Sequence, residues 1–234
     1  VTAKLGVQTR MVQGRRVTDA SAIDATSMVL NGLINTQLVA LCRSFGISAI
    51  GIGGIDGGLV QAHRRAPVTL ASGEVVDYGL VGDIDGIDGS VVTRLLDSGF
   101  LPVVSPLSCD SSGQLLNINA DTVAAAIGGA LVAEKLILCT GAPGILERVD
   151  DPQSLISYTD LAGLHRLREK GAITDGMLPK SSAIEAAIRG GVRRVHVISY
   201  AETDSLLAEI FTNEGTGTLV VADTKALTAA EQGQ

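Results

Sequence analysis

Apolar positions follow two rhythms along the chain, and their alternation sets the expected fold. Ile23, Leu30, Ile34, Leu38 and Leu41 recur at helical spacing, with Thr18 or Asp19 placed to cap the start and Gly46 to end the helix. Short apolar runs at 47–52, 100–105, 135–140, 192–199 and 217–221 predict buried strands. Between them the pattern predicts helices over 90–98, 121–133, 160–170 and 205–211, and another that opens after Ala172 and runs through Arg189. Residues 59–89 carry Val, Thr and Tyr among Gly and Asp, and predict short hairpin strands at a sheet edge or lid. Residues 150–159 read as loop, and the tail after Ala222 as frayed. Strands alternating with helices predict an α/β fold, with a mostly parallel central sheet sandwiched by helices.

Polar punctuation adds chemistry to this frame. The stretch Gln114 to Asp121 lies between a predicted strand and a predicted helix, and brings Asn117, Asn119 and Asp121 to that junction. Ligands bind outside the carboxyl ends of strands, and a helix start attracts anions. Capping by Asn119 or Asp121 explains the same residues equally well. Gly51 to Gly58 also follows a strand, but lacks the Lys-Ser/Thr ending of a phosphate loop and reads as a turn. Asp83, Asp85 and Asp88 lack the twelve-residue calcium pattern and read as a capped turn into the next helix. No metal site is assigned.

Composition narrows the classes. The 234 residues suffice for one large α/β domain or two coupled lobes. Apolar residues are 46% and aromatics 3%, with no Trp, so the core is expected to be aliphatic. A net charge of −7, with no run of Lys or Arg, argues against nucleic acid or an anionic membrane as partner. No uninterrupted apolar run of membrane-spanning length and no secretory signal is read. Cys42, Cys109 and Cys139 lack metal spacing and are expected to be reduced, buried thiols of a cytoplasmic protein.

Four motifs then occur in order: Gly14-Arg-Arg-Val-Thr-Asp19, Gln114-Leu-Leu-Asn-Ile-Asn-Ala-Asp121, Leu136-Ile-Leu-Cys-Thr-Gly-Ala-Pro-Gly-Ile-Leu146 and Ile173-Thr-Asp-Gly-Met-Leu-Pro-Lys180. Over nearly the whole chain this succession resembles the amino acid kinase family, in its N-acetyl-L-glutamate kinase branch. The resemblance implies ATP-dependent phosphorylation of the side-chain carboxylate of N-acetyl-L-glutamate, a step of arginine biosynthesis. It implies an amino-acid lobe at 1–132 and a nucleotide lobe at 133–234 on one continuous sheet. It also implies Mg2+ held mainly through the phosphates, a cytoplasmic setting, and a homodimer or larger homo-oligomer. Position by position, Arg16 resembles the clamp on the substrate α-carboxylate and Asn117 a second substrate contact. Asp121 resembles the carboxylate that organises the catalytic lysines, and Lys180 the lysine that reaches the transferring phosphoryl group. Thr140, Gly141, Ala142, Pro143, Gly144, Ile145 and Leu146, with Ala172, Ile173 and Thr174, resemble the nucleotide-binding segments. Set against these roles, Lys180 reads as a surface lysine and Arg16 as half of a surface ion pair. The chemistry suits the residue types: an ionised carboxylate needs no strong base, and cations and N–H dipoles must offset its repulsion from a polyphosphate.

The chain also departs from the resemblance. The family begins with a strand and a Lys-Gly-Gly loop, then a helix and a strand ending in a His-Gly-Gly type loop. A strand–helix–strand unit takes roughly 30 residues, more than precede Arg16, and Lys4-Leu5-Gly6 follows no strand. An N-terminally incomplete chain is expected rather than one that lost half its site. Gly141 stands where the family usually has Asp, and Ile55 where Lys is common, so altered nucleotide binding is expected. Two alternatives stay open: a catalytically impaired homologue that binds a ligand or regulates, and a kinase for another acylated acidic amino acid of aminoadipate type.

Overall fold

In a computed structural model, residues 10–12, 15–70, 72–174, 176–212 and 215–226 are described. The chain divides into two compact units, Val1–Val123 and Ala124–Gln234.

In the first unit β1 (Arg10–Val12) and β2 (Arg15–Val17) form an antiparallel pair. Then α1 (Ala20–Ser27), a π-helical segment Met28–Ile34 and α2 (Asn35–Ser44) run as one helix of 25 residues. Of the two expected caps Asp19 is the one used, its carboxylate accepting from Ala22 N at 2.8 Å. A π segment inserts an extra residue and re-aims everything after it. Ile23 is accordingly buried, whereas Ile34, Leu38 and Leu41 are exposed. The inward residue is Asn35, whose amide donates to Val103 O at 2.8 Å and Ile52 O at 3.3 Å. Length and overall composition make this helix apolar enough to cross a membrane, a difference from the sequence reading. No single run is uninterrupted, because Asp24, Asn31 and Asn35 break the apolar residues apart. The bonds of Asn35 show that the helix lies along β3 (Ala49–Gly53) and β8 (Leu101–Ser105), which pair in parallel.

The expected hairpin region resolves into β4 (Val60–Arg64), β5 (Val68–Thr69), β6 (Val75–Val76) and β7 (Gly82–Ile87), followed by α3 (Ser90–Asp97). A second hairpin, β9 (Leu107–Cys109) with β10 (Leu115–Asn117), was not foreseen; it completes a sheet in the order β10-β9-β4-β7. The three aspartates serve structure: Asp83 pairs with Arg65, Asp85 with His63 at 2.6 Å, and Asp88 accepts from Ser90 N at 3.0 Å.

α4 (Ala120–Ala130) spans the boundary between the units. The second unit contains β11 (Lys135–Thr140), β12 (Tyr158–Asp160), α5 (Leu161–Glu169), α6 (Met177–Arg189), β13 (Arg194–Ser199), α7 (Ser205–Phe211) and β14 (Thr218–Val221). Its sheet runs β11-β13-β14-β12 and is mixed, with β13 and β14 antiparallel and the two flanking pairs parallel. Leu138, Ile145, Leu164, Ile184, Val195, Val197 and Val220 are central to its core, which is aliphatic as the composition implies. β12 lies in the stretch expected to be loop. The tail does not fray at once, because Thr224 Oγ1 donates to Asp160 Oδ2 at 3.0 Å. Cys139, expected to be buried, faces outward on β11 and is exposed, while Cys42 and Cys109 are half-buried. Hydrogen bonding groups the described strands into five sheets.

Candidate functional site

A cavity of about 380 Å³ opens at the carboxyl end of β11. One wall is Thr140 and the loop that follows it. That loop is stitched in place from behind: Ile145 N donates to Thr218 Oγ1 at 2.8 Å, and Ile145 O accepts from Ile156 N at 3.0 Å. Only glycine fits at 144, where a β-carbon would lie 2.7 Å from both Leu155 Cδ1 and Thr218 Oγ1. The facing wall is the segment before α6, where Thr174 O accepts from Met177 N at 2.8 Å and from Leu178 N at 3.0 Å. Gly176 precedes this 13-residue helix and offers no side-chain cap. The first-turn N–H groups are met by backbone instead: those of Met177 and Leu178 both go to Thr174 O, and Pro179 has none.

Thr140, Gly141, Ala142, Gly144, Ile145, Leu146, Ala172, Ile173 and Thr174 all line this cavity. Pro143 belongs to the loop but not to the lining. Val149, Gly176 and Met177 line it as well and were not singled out. Gly176 and Met177 belong to the Ile173–Lys180 motif, whereas Val149, one apolar residue in a charged stretch, carries no sequence signal. Lys180 is 7% exposed, so it is not a surface lysine. Its ammonium donates to Cys139 O at 3.4 Å, one residue before Thr140.

In the first unit Asn117 ends β10, and its amide donates to Thr18 Oγ1 at 3.2 Å. The backbone brings these two residues together through Leu80, whose N–H donates to Thr18 O at 2.7 Å and whose carbonyl accepts from Asn117 N at 2.9 Å. Gly79 makes this crossing feasible: at φ +73 it holds a conformation that disfavours side chains, and a β-carbon there would strike Thr18 O. Arg16 lies two residues before Thr18, with its backbone opposite Met11 in β2; its side chain lies outside the described residues. Asn119 is the cap of α4, its Oδ1 accepting from Thr122 N at 3.1 Å. Asp121 sits half-buried in the first turn, where the helix dipole favours a carboxylate.

Residues 1–199 match the amino acid kinase family. The chain belongs to this family. An acetylglutamate kinase of Myxococcus xanthus is 46% identical over 217 residues, which cover 91% of this chain and 70% of that protein. One of Methanopyrus kandleri is 42% identical over 220 residues, or 94% and 85%. Among solved structures, N-acetylglutamate synthase from Neisseria gonorrhoeae complexed with coenzyme A and N-acetyl-glutamate superposes with a TM-score of 0.78 at 26% identity, covering 95% of this chain and 49% of that one. Carbamate kinase from Giardia lamblia bound to AMP-PNP shares the amino acid kinase fold, with a TM-score of 0.59 at 14% identity over 95% of this chain and 79% of that one.

Proposed function

We propose that this chain acts as an acetylglutamate kinase, transferring the γ-phosphoryl group of ATP to the side-chain carboxylate of N-acetyl-L-glutamate in arginine biosynthesis. The observation that carries the reading is 46% identity to such an enzyme over 91% of the chain. In the reaction a carboxylate oxygen bonds to the γ-phosphorus, the bond from that phosphorus to the bridging oxygen breaks, and ADP leaves beside an acyl phosphate. The nucleophile is already ionised, so the protein's task is to position the groups and offset their charge. The cavity at 140–177 suits the nucleotide, with a small-residue loop on one side and, on the other, the start of α6, where the helix dipole is positive. Lys180 extends a cation to the end of β11 beside this cavity and is assigned the transferring phosphoryl group. Arg16 and Asn117 are assigned the substrate, and Asp121 the ordering of the cationic groups. Bound Mg2+ offsets phosphate charge. Among the described residues no trio of His, Cys, Asp or Glu is placed to hold a metal, so the phosphates are proposed as its main ligands.

We assign residues 1–132 to the amino-acid lobe and 133–234 to the nucleotide lobe of a cytoplasmic homodimer or larger homo-oligomer. The exposed apolar residues Leu38 and Leu41 of the long helix, with Phe45 just after it, support self-association. Trapping the acyl phosphate with hydroxylamine tests the activity. ATP-dependent hydroxamate from N-acetyl-L-glutamate, in excess over that from the aminoadipate analogue, is the expected result. Ligand binding without product from any acidic amino acid would replace the kinase by a binding or regulatory protein.

A further inference from the structure

Gly141 and Tyr200 each follow the last residue of a neighbouring parallel strand, Thr140 of β11 and Ser199 of β13. The Tyr200 amide donates to Thr140 O at 3.0 Å, which ties position 200 to the rim of the cavity. Ser199 holds the chain on either side: its carbonyl accepts from Ser205 Oγ at 2.7 Å, and its hydroxyl from Ala201 N at 3.1 Å. The Tyr200 side chain does not turn into the core. It is 74% exposed and lies back over Gly141, where a β-carbon would come within 3.0 Å of its Oη and 3.5 Å of its Cζ. A β-carbon at 141 would crowd the phenol end of this ring, which would have to give way slightly. The lining glycine therefore has an aromatic ring against it, at the position where the family resemblance puts an aspartate.

We infer that Tyr200 recognises the nucleobase, its ring on Gly141 forming the stacking face for the purine at the rim of the cavity. This rests on the reading that the cavity takes a nucleotide. An aromatic ring anchored by its backbone and open to solvent on most of its surface is suited to a flat apolar ligand. Stacking uses the π face that every base has, so it does not distinguish adenine from guanine. It also leaves the phosphates to the loop after β11 and to Lys180. Tyr200 thus sets affinity for the base and not for the polyphosphate, and the glycine at 141 leaves the ring its space.

Calorimetric titration with ADP and with inorganic tripolyphosphate separates these roles. Tyr200→Ala is expected to weaken ADP about tenfold, or ~1.4 kcal/mol, and Tyr200→Phe to keep it within about twofold. Tripolyphosphate affinity stays at the wild-type value in both. Gly141→Asp weakens ADP in the wild-type background by displacing the ring, and adds little once Tyr200 is Ala. ADP binding that survives Tyr200→Ala unchanged, or an equal loss for tripolyphosphate, overturns the stacking role while the nucleotide reading stands. A wild-type protein that binds no ADP removes the nucleotide reading and this inference together.

Discussion

A buried ammonium costs several kcal/mol unless its charge is met by acceptors or put to use. Lys180 is such a group, held by the carbonyl of Cys139 at the end of a strand. Removing one preorganised charge from a transferring group typically costs a factor of about 10²–10³ in turnover. Lys180→Ala is therefore expected to lower kcat by that order while ADP affinity changes by less than about threefold. Steady-state kinetics beside calorimetry read the two numbers, and an intact kcat would leave the lysine a purely structural role. Thr218 makes a complementary case. Its hydroxyl is the acceptor for Ile145 N in the cavity loop, and its side chain is completely buried. Thr218→Val leaves that N–H unsatisfied at a cost of about 1–3 kcal/mol, so a raised KM for ATP and a lower Tm are expected together; an unchanged KM would detach the loop from the nucleotide. Neither residue was fully legible in the sequence. Lys180 stands in a recognisable motif, but its burial comes from tertiary packing that no local pattern reports. Thr218 lies more than seventy residues from the amide it serves, and no local pattern reports such a bond.

At the scale of elements, local signals carried far. β11 appears at its expected bounds, and α5, α6, α7, β13 and β14 close to theirs, because each pairs a clear apolar period with an Asp, Gly or polar boundary. The failures share a physical cause. β12 is three residues long and is fixed by pairing with β14 some sixty residues later. The phase of the long helix is lost where the π segment adds a residue, so spacing alone faced Leu38 and Leu41 the wrong way. α7, only seven residues long, shows what holds so small an element in place. Glu209 meets His196 Nδ1 at 2.7 Å, and accepts from Thr216 N at 2.8 Å and Gly217 N at 3.1 Å. Burial pushes the Glu209 carboxyl up, but the bonds from His196, Thr216 and Gly217 outweigh it and leave its pKa lowered from 4.5. A depressed carboxylate contributes stability that is present above its unfolded pKa and lost as pH falls through the folded value. Glu209→Gln is thus expected to lower Tm at pH 7, with the gap from wild type narrowing below about pH 4.5. Thermal unfolding between pH 3.5 and pH 7, in roughly half-unit steps, tests this linkage. A gap constant across that range would mean that the charge of Glu209 does not contribute.

For the whole molecule, the aliphatic core and the α/β class follow from composition and pattern, whereas the surface does not. The long helix, with Leu41 at 55% exposure and Leu38 at 45%, and Phe45 just after it at 75%, presents apolar area of a kind that isolated proteins rarely leave in contiguous patches. Leu38 and Leu41 also contribute to the apolar composition by which this helix is long and apolar enough to cross a membrane. Asn35 excludes that reading for its inward face, because bilayer hydrocarbon offers none of the strand carbonyls to which its amide is bonded. The outward face suits the self-association proposed above. Burying about three such side chains per protomer is worth a few kcal/mol at ~25 cal/mol per Å², and replacing two of them with carboxylates would oppose association by desolvation as well. The wild-type protein is expected to elute as a dimer or larger at micromolar concentration. Leu41→Asp with Phe45→Asp should shift it to the monomer mass by light scattering. Both residues are already in water in the single chain, so the fold should survive; an unchanged far-UV circular dichroism spectrum would establish that. A monomeric wild-type protein, or a double variant that still elutes as the oligomer, would place the association surface elsewhere or remove it.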